Sequence, residues 1–144
     1  MCRLFTITLI LLLPRLGSAE GLNIGVGYNF IPDSGYASVG YRRGSFGVEG
    51  MVVRMGEEEA ETKPGPLFCF DGMLYVPKIP VFVKLGVEGG NGKNGYNAGI
   101  GIDLPLWKRW HVRVQDTHFF EFKEDYGDPA ESEDQISVGL HYNF

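Results

Sequence analysis

The chain has 144 residues, 44% hydrophobic, 13% aromatic and 22% charged, with 21 Gly and a formal net charge of −5. That length allows one domain, the apolar and aromatic content excludes a disordered chain, and the acidic balance speaks against nucleic-acid binding, which needs a basic face. No apolar run reaches about 18 residues, so no transmembrane helix is expected.

Residues 1–19 have the make-up of an export signal. Met1-Cys2-Arg3 is a short basic start, Leu4 to Leu13 is apolar, and Gly17-Ser18-Ala19 offers small residues for cleavage. Cys2 precedes the apolar stretch and so is no lipid-attachment cysteine. Cleavage removes Arg3 and Arg15 and takes the formal charge from −5 to −7. It also leaves Cys69 as the single thiol, with no internal disulfide and no Cys/His cluster of metal type.

From residue 20 onward the chain alternates with a period of two, the signature of strands. Leu22, Ile24, Val26, Tyr28 and Phe30 open the pattern, interleaved with Asn and Gly. Ala37, Val39 and Tyr41 follow, then Phe46, Val48, Gly50 and Val52, then Phe68, Phe70, Gly72 and Leu74. Val81, Val83, Leu85 and Val87 form a fifth segment, and Tyr96, Ala98, Ile100, Ile102 and Leu104 a sixth. Trp110, Val112 and Val114 begin a seventh, and Ile136, Val138, Leu140, Tyr142 and Phe144 make an eighth. Eight strands and no helix are expected after the signal. The connectors at 43–44, 77–80 and 105–109 are short. Those at 56–66 and 123–134 are longer and acidic, and 31–34 and 89–94 are intermediate. Turns of two kinds in succession are how an up-and-down barrel crosses a bilayer, and closure satisfies every backbone group in hydrocarbon.

A soluble barrel would alternate too, with its apolar set inside. Here the interleaved set is rich in Gly (25, 27, 40, 47, 86, 99, 101 and 139). Small residues suit the narrow lumen of eight strands and would only weaken strands facing water. The apolar set carries aromatics at both strand ends. Tyr41, Phe46, Trp110, Tyr142 and Phe144 fall at one end, and Phe30, Phe68, Phe70, Tyr96 and Phe120 at the other. Two aromatic girdles mark the two membrane interfaces. The expected fold is therefore all-β, an eight-stranded antiparallel up-and-down transmembrane β-barrel over residues 20–144, with the apolar set outside.

The last strand, Gln135-Ile-Ser-Val-Gly-Leu-His-Tyr-Asn-Phe144, resembles the terminal assembly signal of bacterial outer-membrane barrels: a final Phe, an aromatic two residues earlier, and alternating apolar residues before that. The stretch from Gly99 to Val114 is similar to the penultimate hairpin of small OmpA-like and OmpX/Ail-type barrels. The resemblance implies a Gram-negative outer membrane as location, with lipid, lipopolysaccharide and the outer-membrane assembly machinery as partners of a monomeric chain. The acidic connectors depart from the basic or aromatic loops expected of an adhesin that binds heparin or matrix.

By parity the lumen receives Arg42, Lys84, His111, Arg113 and His141 against Glu49, Asp71, Glu88, Asp103 and Glu121. If Leu104 pairs with Trp110, Asp103 faces His111 with Arg113 on the diagonal; Asp71 and Lys84 are diagonal by the same counting. A structural salt-bridge network in a filled lumen is favoured over an ion or proton path. The acidic stretches Glu57-Glu58-Glu59 with Glu61, and Glu124-Asp125 through Asp134, have oxygen ligands suited to calcium or magnesium. They lack a calcium-loop spacing and read as solvated loops. Arg54 and Lys63 are weak candidates for lipid phosphate. Cys69 projects inward as a core thiol.

Asp116 and His118 continue the outward parity of Val112 and Val114. Either a bulge near Gln115-Asp116 turns them inward, or they face the interface bonded to each other or to headgroups; the second is favoured, because a flip would bury Phe120 and Phe122. The lipid A deacylase barrels offer a resemblance at this point: a His on the penultimate strand, a Ser two residues on, and an acid near the last strand. His118 fits, and Glu133 or Asp134 suits the acid, but the nucleophile position is Phe120. No catalytic, cofactor or metal residue is therefore assigned, and a structural or surface-interaction role is expected. The alternatives are a lipid A-modifying enzyme and a soluble secreted ligand-binding barrel.

Overall fold

A computed structural model describes residues 20–31, 33–54, 65–90, 93–121 and 132–144. The signal segment 1–19 and the acidic stretches 57–61 and 124–131 lie outside the described residues. Eight strands form one closed antiparallel barrel: β1 (Gly21–Phe30), β2 (Asp33–Arg43), β3 (Phe46–Arg54), β4 (Pro66–Tyr75), β5 (Val81–Gly90), β6 (Lys93–Trp107), β7 (Trp110–Glu121) and β8 (Ser132–Asn143). Each strand pairs with the next in sequence, and β8 returns to β1 with Val26 opposite Leu140 and Asn23 opposite Asn143. The Phe144 amide donates to Leu22 O at 2.9 Å, extending that closure to the last residue.

The faces divide as the alternation predicts. Val26, Val39, Phe46, Phe70, Leu85 and Ile100 point outward and are exposed, Phe46 by 71% and Leu85 by 67%. Glu49, Asp71, Lys84, Arg113 and His141 point inward and are buried. A water-soluble protein has the opposite arrangement, and exposed apolar surface on this scale marks contact with something other than water.

The connectors differ from the sequence reading. At the long-loop end, β1 and β2 pair up to Phe30 opposite Asp33, and β5 and β6 up to Gly90 opposite Lys93. Only residues 31–32 and 91–92 separate them. Long connectors therefore leave only from the ends of β3 and β7. At the opposite end β6 runs on through Pro105 to Trp107, so the turn is Lys108-Arg109 in place of 105–109. Pro105 has no N–H to donate, and the register shifts between Pro105 and Trp107. This irregularity changes the pairing above it: Leu104 faces Val112, not Trp110. β6 also outruns its other neighbour, with the Asp103 amide donating to Pro80 O at 2.7 Å.

The Gly-rich inner wall makes room for rings. A Cβ on Gly27 or Gly139 would come within 2.4 Å or 2.0 Å of the Tyr36 side chain, and one on Gly101 within 2.3 Å of the Phe82 ring. The inward glycines of β1, β6 and β8 are thus the counterparts of large side chains reaching across from β2 and β5.

Candidate functional site

Two places concentrate chemistry, one inside the barrel and one on its outer rim. Inside, Arg113 on β7 is the hub. Its Nη1 donates to Glu49 Oε2 on β3, and its Nη2 donates to Asp103 Oδ2 at 3.1 Å and to Tyr75 Oη at 3.2 Å. Its guanidinium also lies 5.1 Å from the Phe82 ring centroid. Glu49 and Arg113 are each 2% exposed, so their pairing is made out of water, where an unpartnered charge costs most. Lys84 Nζ donates to Asp71 Oδ2 at 3.1 Å, with both side chains fully buried. Below them the Arg42 guanidinium stacks 3.6 Å above the Tyr75 ring, and its Nε donates to Gly44 O.

The Asp71–Lys84 diagonal is as expected from the sequence, since Met73 faces Lys84 and Asp71 faces Gly86. The other pair is corrected. Asp103 faces Arg113 directly, and His111 is the diagonal neighbour, its Nδ1 3.9 Å from Asp103 Oδ1. A turn of two residues in place of five, with one residue taken up by the irregularity between Pro105 and Trp107, accounts for the change. The contact of Glu49 with Arg113 escaped the sequence reading, because it crosses the lumen from β3 to β7 and follows from no strand neighbour.

The lumen is layered. Towards the long-loop end Tyr36, Met51, Val53, Leu67, Cys69 and Phe119 form an apolar cluster, and Met73, Tyr75 and Phe82 form another nearer the short turns. The ion pairs lie between. β4 alone shows the order inward-facing along its length: Leu67 and Cys69, then Asp71, then Met73 and Tyr75. Cys69 is buried in the first cluster. Among the described residues no group of three His, Cys, Asp or Glu is placed to hold a metal ion.

On the outer rim the parity of β7 is unbroken. Thr117 and Phe119 are buried in the lumen, while Asp116 is exposed outside between Ile100 and Ile136. No bulge occurs at Gln115-Asp116. His118 stands outside between Ala98 and Asp134, and its Nδ1 donates to Asp134 Oδ1. The His118 partner is thus Asp134 of the neighbouring strand and not Asp116. The side chains are 38% and 73% exposed. The imidazole meets the Phe120 ring edge-on at 4.5 Å, and Phe120 stacks on Tyr96 at 4.7 Å. Glu133, the other acid considered, is opposite Phe119 on the inward parity. The rim thus holds a His–Asp pair whose neighbour at the nucleophile position is an aromatic ring.

No family model matches the chain, and no curated protein matches it by sequence. Among solved structures it is similar to the crystal structure of Neisserial surface protein A (NspA), with a TM-score of 0.58 and 13% sequence identity over 88% of this chain and 98% of that one. At this identity the likeness is one of fold. The chain has the architecture of a small eight-stranded up-and-down barrel.

Proposed function

We propose that the protein is an integral barrel of a Gram-negative outer membrane with a structural or surface-interaction role and a filled lumen. One observation carries the reading: the outer face is apolar around the whole circumference, while buried ions line the inside. Aromatic side chains at both strand ends, such as Phe30 and Tyr96 above and Phe46 and Trp110 below, suit the two interfaces. The likeness to NspA supports the same reading, the last strand supports an outer-membrane barrel, and the stretch from Gly99 to Val114 supports kinship with the OmpA-like and OmpX/Ail-type barrels. The test is fractionation followed by electrophoresis with and without heating. The folded chain is expected in the outer-membrane fraction and is expected to shift its migration on boiling. A soluble fraction with no heat-dependent shift would end the proposal.

Recognition by the assembly machinery through β8 belongs to the same proposal. Tyr142 packs edge-on against Trp110 at 5.0 Å and against Phe144 at 5.1 Å, forming an aromatic corner at the strand's end. Deleting Phe144 is expected to lower the amount of heat-modifiable protein in the membrane.

The His118–Asp134 pair favours one second reading, a lipid-modifying enzyme working at the outer interface. Phe120 where a Ser would attack weighs against it, because a general base without a nucleophile completes no acyl transfer by that route. Mass spectrometry of lipid A from cells with and without the protein separates the readings. An unchanged acylation pattern is expected.

A further inference from the structure

The connectors between strands differ in charge along the sequence. At the long-loop end, the connectors 55–64 and 122–131 contain Glu57, Glu58, Glu59 and Glu61, then Glu124, Asp125, Asp128 and Glu131, against Lys63 and Lys123. At the short-turn end, Arg43, Lys78, Lys108 and Arg109 are all exposed. One acidic side chain accompanies them among the described residues, Glu20, and its carboxylate already accepts from the Gly44 amide.

Each of these cations has an exposed apolar or aromatic neighbour. Arg43 pairs across the β2–β3 turn with Phe46. Lys78 adjoins Ile79, which is half exposed. Lys108 stands 5.3 Å over the Trp107 ring, and Arg109 precedes Trp110. Lys78 and Lys108 have φ of 72° and 46°, the left-handed region where Gly or Asn is at ease. They are the two non-Gly residues with positive φ among those described, both at tips of the same end. Observed strain of this kind points to a function that keeps the residue in place.

We propose that the short-turn rim binds the headgroups of anionic glycerophospholipids in the adjoining membrane leaflet. The inference rests on the membrane-barrel reading above. A cation beside an aromatic ring or an aliphatic tip matches the headgroup layer, where phosphate lies a few ångströms from the first methylenes. A cell-wall polymer would satisfy the cations but leave Ile79, Leu106 and Trp107 in water.

The test uses the full mature chain in phosphatidylcholine vesicles with trace spin-labelled phosphatidylglycerol or phosphatidylcholine. The motionally restricted fraction of each label reports lipid held at the barrel. Labelled phosphatidylglycerol should be favoured at least about twofold, as expected for several cations near one anionic headgroup. The preference should vanish near 1 M salt, where the screening length is roughly 3 Å. The variant Arg43→Gln, Lys78→Gln, Lys108→Gln, Arg109→Gln should fall to parity with its heat-dependent shift intact, while Arg54→Gln at the other end should keep the preference. Equal restriction of both labels by the wild-type barrel, or a preference that survives the fourfold variant, would overturn the proposal. So would co-sedimentation with purified cell-wall sacculi that the fourfold variant loses while no lipid preference is seen. A chain that restricts neither label and shows no heat-dependent shift would sink the membrane reading itself.

Discussion

The middle of the lumen is packed around ions, and the part nearer the long loops holds a hydrocarbon cluster. In the first, Arg113 holds Glu49 and Asp103 at once, and Lys84 holds Asp71. In the second, Tyr36, Met51, Val53, Leu67, Cys69 and Phe119 pack on one another with no ion pair among them. Both fill a bore too narrow for water-solvated charge, but they differ in what a substitution does. Hydrocarbon loses contacts in proportion to what is removed. An ion network fails as a unit, because removing one member leaves the others charged and dry.

The sharpest way to break this contrast is at the hub. Arg113→Ala leaves Glu49 and Asp103 facing each other's field without a cation and is expected to cost roughly 3–5 kcal/mol, read as the urea midpoint of the barrel in vesicles. Replacing the set together, Arg113→Met with Glu49→Leu and Asp103→Leu, should recover most of that loss, because no charge is then left buried. A triple variant as unstable as the single one would show that the ions do more than satisfy one another.

The matching change in the apolar cluster near the long loops is Leu67→Ala. It removes buried hydrocarbon from the upper cluster and leaves no charge behind, so roughly 2–3 kcal/mol is expected, the lower part of the range for such truncations. If it costs as much as Arg113→Ala, the two regions are not distinct in kind. Since both regions are filled, the wild-type barrel should give no stable, large channel in planar bilayers. Sustained conductance would mean that neither cluster closes the bore.

Much of this was legible in the sequence. Period-two alternation identifies eight strands and separates the faces, because each residue's side follows from parity alone once one face is assigned. The outward placement of Asp116 and His118 follows from the same counting and is observed. Cross-lumen contacts are different. Glu49 and Arg113 come from strands that are not neighbours, so their meeting depends on the bore and the strand stagger, which local sequence does not encode. The Asp103–Arg113 register was misread for a local reason: Pro105 looks like a strand end, yet it lies in a paired strand at an irregularity. His118 with Asp134 was foreseeable only as one of several pairs, because the register of β8 depends on where the 122–131 connector ends.

The smallest expected effect has the opposite sign and lies at the turn tips. Lys78 and Lys108 hold left-handed backbone that costs an L-residue roughly 1–2 kcal/mol, while Gly there gives back about 0.5–1 kcal/mol through its greater freedom when unfolded. Lys78→Gly and Lys108→Gly should therefore each stabilise the barrel by about 1 kcal/mol or less in purely zwitterionic vesicles. In vesicles containing phosphatidylglycerol the gain should shrink or reverse, because each lost cation forfeits about 1 kcal/mol of attraction to an anionic surface. Urea midpoints of both variants in both vesicle types decide the matter. Beyond the apolar cluster at this end of the bore lies a rim whose charge is then kept at the expense of local backbone comfort. Destabilisation of equal size in both vesicle types would instead mean that the lysine side chains hold the turns themselves.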